Sequence, residues 1–305
     1  MSYILITPIQ NESENLPKLK DTIINQTIKP LIWVIVDSGS TDNSYQLAKE
    51  LFKDYEWVHI IKQKRFFEKG YGYKNFAEAI NEGYSYAKNL CIKKQIYYSF
   101  IGKTDATPIL NKDYFEILLE EMKEDNRLAI TCGFQKLHYK NQKIYITPLY
   151  KIPLTGFNDI RLYRKEFFEE IGGYPLAPSP DGILLIKAKN KGWKVKVVRD
   201  AYFVKPRLGG SKIGIWEGCK LMGKGMYILG YHPLLMLLNV LYNSIRFPPH
   251  YQLLPMIWGY FLGTIQHEKK IEDNEILEYF GKKRLKEVIY AFFGKDRSSY
   301  DEGVK

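Results

Sequence analysis

Apolar positions near the start of the chain fall in two unbroken runs, separated by a stretch where they recur at three- and four-residue spacing. The runs are Tyr3-Ile4-Leu5-Ile6 and Leu31-Ile32-Trp33-Val34-Ile35-Val36. The first passes into Thr7-Pro8-Ile9-Gln10-Asn11-Glu12 and the second into Asp37-Ser38-Gly39-Ser40-Thr41-Asp42. Short continuous apolar runs fit strands buried on both faces, and Leu16 to Ile24 between them carries the helical period. Strand, helix, strand at this spacing predicts a βαβ unit in a parallel sheet with both strand tips on one side. Ligands of such sheets bind just beyond the carboxyl ends of the strands, which puts Glu12 and Asp37 over one pocket.

The same reading continues along the chain. Ser44 to Phe52 is a helix, Trp57 to Ile61 a strand, and Lys62 to Lys74 a basic, aromatic loop with glycines. Asn75 to Asn89 is a helix whose Ala77, Ala79, Gly83 and Ala87 let it sit close against a neighbour. Ile96 to Ile101 is a strand running into Gly102-Lys103-Thr104-Asp105-Ala106-Thr107-Pro108. Asp113 caps the next helix, with Glu116 completing a capping box. Strands follow at Leu128 to Phe134 and Lys143 to Tyr150, then a helix from Arg164 to Ile171 stopped by Gly172-Gly173. Asp181 precedes a helix from Ile183 to Asn190, and Gly192 to Val198 is a late strand. Residues 1–205 thus form one α/β domain of ordinary size, and residues 206–305 a helical region of different character.

In that second region Met226 to Ile245 and Tyr251 to Ile265 are strongly apolar, broken by His232-Pro233 and by Arg246-Phe247-Pro248-Pro249-His250. Neither is a clean run of the roughly 20 apolar residues a bilayer demands. Tyr, Trp and basic residues at their ends suit segments lying in the headgroup region, the favoured reading; a hairpin through the bilayer and a soluble helical cap are the alternatives.

Lys+Arg number 45 and Asp+Glu 34, a formal charge of +11, which suits phosphorylated ligands or anionic lipid surfaces. Nucleic acid also fits that charge, but no RNP, zinc or helix-turn-helix pattern supports it. The three cysteines, Cys91, Cys132 and Cys219, lie far apart and form no disulfide framework, which favours a reducing compartment. A strand begins almost at once, so a signal peptide is not expected, and the cytoplasmic face of the cell membrane is the expected location.

Three acids fall at strand ends or loops on the side where the parallel strands finish: Asp37, Asp105 and Asp181. Singly, each reads as a turn former or a cap, as Asp42 does at its helix start. Jointly they fit group transfer from a nucleotide sugar. One carboxylate accepts from a base or ribose, one lies near the phosphates and a divalent cation, and one takes a proton from an attacking hydroxyl.

The segments Thr7 to Leu16 and Val36 to Asp42 resemble the opening of family 2 glycosyltransferases, which have the GT-A fold, a Rossmann-like, mostly parallel sheet flanked by helices. The resemblance extends through Ala79-Ile80-Asn81-Glu82-Gly83, through Lys103 to Thr107 at a DxD-type metal motif, and through Arg164 to Tyr174 on the acceptor side. Pro180-Asp181 stands where the family has Glu-Asp. The resemblance implies an inverting glycosyltransferase acting on a nucleoside-diphosphate sugar, with Asp181 as catalytic base. It implies Pro8, Gln10, Glu12, Asp37 and Asp105 around the donor nucleotide, and Mg²⁺ or Mn²⁺ held by Asp105 and Thr107. The acceptor is expected to be lipid-linked or a membrane-proximal glycan.

Four departures stand out. Gln10 replaces an aromatic that stacks on the base, Thr107 replaces the second acid of the metal motif, and Pro180 replaces the Glu before Asp181. A metal-completing His has no counterpart around Val204-Lys205-Pro206-Arg207. A hydroxyl is a poor ligand for a hard cation, so Lys205 or Arg207 is a candidate to neutralise the diphosphate directly. Lys69, Gly70, Gly72 and Lys74 form a further candidate phosphate loop. The alternative function is a non-catalytic sugar-nucleotide-binding module with a degenerate metal motif.

Overall fold

Tyr3–Ile9 (β1), Leu16–Ile24 (α1) and Ile32–Asp37 (β2) reproduce the opening βαβ unit, and every residue of both strands is buried. That burial on both faces is why neither strand alternates. The chain is seen in a computed structural model that describes residues 2–67, 72–139, 142–145, 160–205, 214–246 and 250–293. After β2 come α2 (Ser44–Phe52), β3 (Val58–Lys62), α3 (Gly72–Lys94), β4 (Phe100–Lys103), β5 (Ile109–Leu110) and α4 (Tyr114–Glu124). Next are β6 (Leu128–Tyr139), β7 (Gln142–Tyr145), β8 (Arg161–Arg164), α5 (Lys165–Glu170), α6 (Pro180–Asn190) and β9 (Lys194–Lys205). The C-terminal helices are α7 (Ile215–Ile228), α8 (Pro233–Arg246), α9 (Leu253–Ile265), α10 (Asn274–Glu278) and α11 (Arg284–Phe293).

The strands form one mixed sheet in the order β3-β2-β1-β4-β8-β6-β9-β5, with β7 paired to β6. β3, β2, β1 and β4 are parallel, and β8 runs against both β4 and β6. The reversal brings the start of β8 to the rim where β4 ends, with Arg161 directly opposite Lys103. On one face α1, α2 and α4 cover Leu5, Trp33 and Ile35. On the other, α3, α5 and α6 cover Ile4, Ile6, Val34 and Ile101. Gly83 explains how α3 gets so close: a Cβ there would lie 2.8 Å from the side chains of Ile6 and Val36.

Several expectations change. The strand expected from Ile96 begins only at Phe100, and the helix expected at Asn75 starts at Gly72. The first residue of the expected helix from Arg164 belongs to β8, where its guanidinium is spent on the carbonyls of Leu128 (2.9 Å) and Met122 (2.6 Å). No capping box forms at α4: Asp113 occupies the N-cap without a side-chain cap hydrogen bond and instead accepts from Asn111. Most of the expected strand from Lys143 to Tyr150, together with Lys69, Gly70 and Arg207, lies outside the described residues.

The C-terminal helices are not a detached apolar appendage. Helix α6 is apolar nearly all round because it is sandwiched. Leu184, Leu185 and Ala188 meet the sheet. Ile183 and Ile186 meet Leu229, Leu235, Ile276, Tyr279 and Phe280. α7 and α9 touch backbone to backbone at glycines: a Cβ on Gly223 would lie 1.9 Å from the Met256 carbonyl, and one on Gly259 1.9 Å from that of Lys220. Among the described residues no helix is long and apolar enough to cross a membrane.

Candidate active site

At the C-terminal ends of β1 and β2 the two following loops are sewn together. Asn11, in the left-handed region at φ 52°, accepts through Oδ1 from the backbone N–H of Thr41 (2.8 Å) and Asp42 (3.3 Å). The Glu12 N–H donates to Ser44 Oγ at 2.7 Å, and Gln10 Nε2 donates to the Ser38 carbonyl at 3.1 Å. Pro8 is buried within β1 beside Val36. The Glu12 carboxylate is buried and accepts from Asn15, at the start of α1. Asp42 has the turn role expected of it. Desolvation works upward on its carboxyl, but hydrogen bonds from Ser44 and Ser13 prevail and hold it down at about 2.

Asp181 lies in the first turn of α6 and is not a helix cap. Its carboxylate turns to the sheet, where Arg161 Nε stands 3.4 Å from Oδ1 and Lys103 Nζ 3.5 Å from Oδ2. The Tyr163 hydroxyl donates to Oδ1 at 3.3 Å, and Arg161 Nη1 donates to the Asp181 backbone carbonyl at 2.8 Å. Lys103 also stands 3.7 Å from Asp105 Oδ1, so one ammonium links both carboxylates. Register explains the convergence: Lys103 pairs with Arg161 and Ile101 with Tyr163, and directly paired residues project from the same face. The cluster is charge-coupled. Burial and then the Asp181 charge push the Tyr163 and Tyr174 phenols up. Desolvation works downward on Arg161, yet Asp181 leaves its guanidinium raised overall.

Asp37, at the tip of β2, is buried and accepts from the Ser40 N–H at 3.3 Å. It sits two strands from β4, about 10 Å across the sheet. By alternation it leaves the sheet with Trp33 and Ile35 on the α1–α2 face, opposite the face of Lys103. The three acids therefore occupy one rim, with Asp105 and Asp181 in one cluster and Asp37 apart from it.

Asn81, in the expected Ala79-to-Gly83 motif, has a positioning task. Its amide donates to the Tyr174 carbonyl (2.9 Å) and accepts from the Tyr174 N–H (2.8 Å). This pins the Gly-Gly-Tyr turn, and with it the buried Tyr174 ring, beside Asp181. Gly173, at φ 91°, leaves room for the approach, since a Cβ there would meet Asn81 Oδ1 at 2.9 Å.

The donor set suits a divalent cation poorly. Thr107 is buried, and the Asp105 carboxylate already faces an ammonium. Among the described residues no three His, Cys, Asp or Glu side chains gather as metal ligands. Lys205 is the last residue of β9. Sequence reasoning passed over Lys103 and Arg161 as site residues. The signal for Lys103 was its spacing of two from Ile101, which fixes it to the same face.

Comparisons with known proteins agree with this architecture. Residues 4–174, more than half of the chain, match glycosyl transferase family 2. An uncharacterized glycosyltransferase of Rickettsia felis is 30% identical over 140 residues, which are 46% of this chain and 20% of that protein. An O-antigen chain rhamnosyltransferase of Salmonella typhimurium is 26% identical over 227 residues, 68% of each chain. The mannosyltransferase of Pyrobaculum calidifontis, solved in complex with GDP-Man and Mn²⁺, superposes with a TM-score of 0.54 at 13% identity, covering 96% of this chain and 88% of that one. The chain belongs to glycosyl transferase family 2.

Proposed function

We propose that the protein transfers a sugar, with inversion, from a nucleoside diphosphate to an acceptor hydroxyl or phosphate. The observation that carries this reading is the placement of Asp181. It is a carboxylate in the first turn of a helix, turned away from capping and held by Arg161, Tyr163 and Lys103 beside Asp105. Asp181 takes the acceptor's proton as the acceptor oxygen attacks the anomeric carbon, and the nucleoside diphosphate leaves from the opposite face. Pro8, Gln10, Glu12 and Asp37 form the nucleotide wall, and Asp105 lies toward the ribose and diphosphate. Lys205 and Arg207, at and beyond the end of β9, are candidates to meet the phosphates.

A thermal-shift panel of UDP, GDP, CDP and dTDP sugars tests the donor half. A ligand that binds only the folded state at about 100 times its Kd adds about 2.7 kcal/mol of stability. One nucleotide is expected to raise Tm clearly above the others. A flat panel at saturating concentrations removes the reading.

The acceptor is membrane-proximal in this proposal, and the cytoplasmic face of the cell membrane is the proposed location. Leu234, Leu237, Leu238 and Leu241 of α8 are exposed at one-face spacing, as are Leu254, Trp258, Phe261 and Ile265 of α9. Trp216 of α7 lies against the exposed Tyr251, ring centroids 6.3 Å apart. At about 20 Å each, α8 and α9 are too short to span but suited to lying in the headgroup region. From Gly230 to His267 the chain carries no acidic residue, which suits an anionic surface. Co-sedimentation with phosphatidylglycerol vesicles is therefore expected, and it should fall by about tenfold or more in Leu254→Glu/Trp258→Glu. Equal recovery of both proteins in the supernatant refutes lipid docking.

A further inference from the structure

Lys103 is a buried ammonium compensated by charge and not by hydrogen bonds. It is 1% exposed, and its ammonium makes no hydrogen bond. Around it are the carboxylates of Asp105 and Asp181, at 3.7 and 3.5 Å, and the rings of Phe76 and Tyr174, at 4.8 and 5.8 Å from their centroids. Burying an ammonium is costly and persists only where surrounding charge compensates it. Arg161 supplies a second buried cation against Asp181. Two carboxylates and two cations leave this cluster formally neutral. Without the two cations it would confront an incoming diphosphate with two negative charges.

Offsetting that repulsion is work a divalent cation does at phosphate-transferring sites. Here the space between Asp105 and Asp181 is taken by a cation attached to the chain, and a metal ion entering it would meet like charge at contact distance. We propose that Lys103 stands in for a divalent metal: its ammonium neutralises Asp105 and Asp181 so that the donor's diphosphate binds without one. This rests on the donor-site reading above. Lys103 acts through the two carboxylates and is a positioning residue.

The test uses the metal-stripped full chain and Lys103→Met, titrated with Mn²⁺ by calorimetry, and then with UDP, GDP, CDP and dTDP in EDTA or in Mn²⁺. Wild type is expected to take up Mn²⁺ no more tightly than about 1 mM. It should bind its preferred nucleotide equally, within about twofold, with and without metal. In Lys103→Met the freed carboxylates should acquire a Mn²⁺ site at least about tenfold tighter. That site should disappear in Lys103→Met/Asp105→Asn, and Mn²⁺ should restore nucleotide binding that EDTA abolishes. A merely structural lysine predicts no such rescue. Micromolar Mn²⁺ binding by wild type, lost in Asp105→Asn, overturns the proposal, as does a folded Lys103→Met that matches wild type in every arm. If Lys103→Met does not fold, the wild-type titration still decides, and Lys103→Arg should keep the metal indifference. If none of UDP, GDP, CDP and dTDP binds wild type, the donor-site reading fails while the Mn²⁺ titration alone still decides the role of Lys103.

Discussion

Asp181→Asn is expected to lower the turnover of sugar transfer by about 10²–10⁴-fold, the usual weight of a positioned general base. The amide keeps the shape of the side chain and can still accept from Tyr163, which donates at 3.3 Å in the native chain. It cannot take a proton from an attacking hydroxyl. The loss should therefore fall on kcat, while donor binding should not weaken, since Lys103 and Arg161 then outweigh the one remaining carboxylate, Asp105, and favour the diphosphate. Nucleotide release over time, with donor affinity measured in parallel, separates the two. Turnover within about tenfold of wild type assigns the base elsewhere and returns Asp181 to a purely structural ion-pair role.

Gly259→Ala should destabilise the C-terminal helices severely for a single methyl group. The new Cβ would lie 1.9 Å from the Lys220 carbonyl oxygen, with backbone on both sides of the contact, so α7 and α9 must part by about 1 Å. Overpacking of this kind costs about 1–3 kcal/mol. At about 2–4 °C per kcal/mol for a chain somewhat smaller than this one, Tm should fall by several degrees. Gly72→Ala is the control: a Cβ there meets nothing within 4 Å, and its Tm should stay level or rise slightly. The expected damage reaches further than α7 and α9, because Leu229, which follows α7, packs on the helix that carries Asp181. Gly259→Ala should therefore also reduce transfer below its melting point, and wild-type turnover there would show that the helices do not brace the site.

How much of this was legible beforehand depends on what each residue's surroundings supplied. The opening βαβ unit was readable because β1 and β2 are buried on both faces, and continuous burial leaves a continuous apolar record. β8 left none. Its ends are Arg161 and Arg164, and both guanidiniums are satisfied by partners far off in sequence, Asp181 for one and the carbonyls of Met122 and Leu128 for the other. Tertiary contacts thus make a buried strand out of a segment whose sequence pattern assigns no element before Arg164. The same holds for Lys103, whose compensation comes from Asp105 nearby and Asp181 across the fold. The structure puts Asp37, Asp105 and Asp181 at one rim of the sheet. Their division between two faces was not legible, because β2 and β4 each had to be assigned a parity against the helices before Asp37 and Lys103 could be separated.

The stitching of the first two loops by Asn11 has an energetic consequence for any molecule that settles on that rim. With its amide oxygen shared between the Thr41 and Asp42 N–H groups, and Ser44 holding the Glu12 N–H, the two loops form a single cross-linked ledge. A guest arriving there meets a wall whose ordering entropy was spent during folding, so its affinity is not taxed by loop closure on that side. Discrimination between guests then falls to how well each one fits a surface that does not yield.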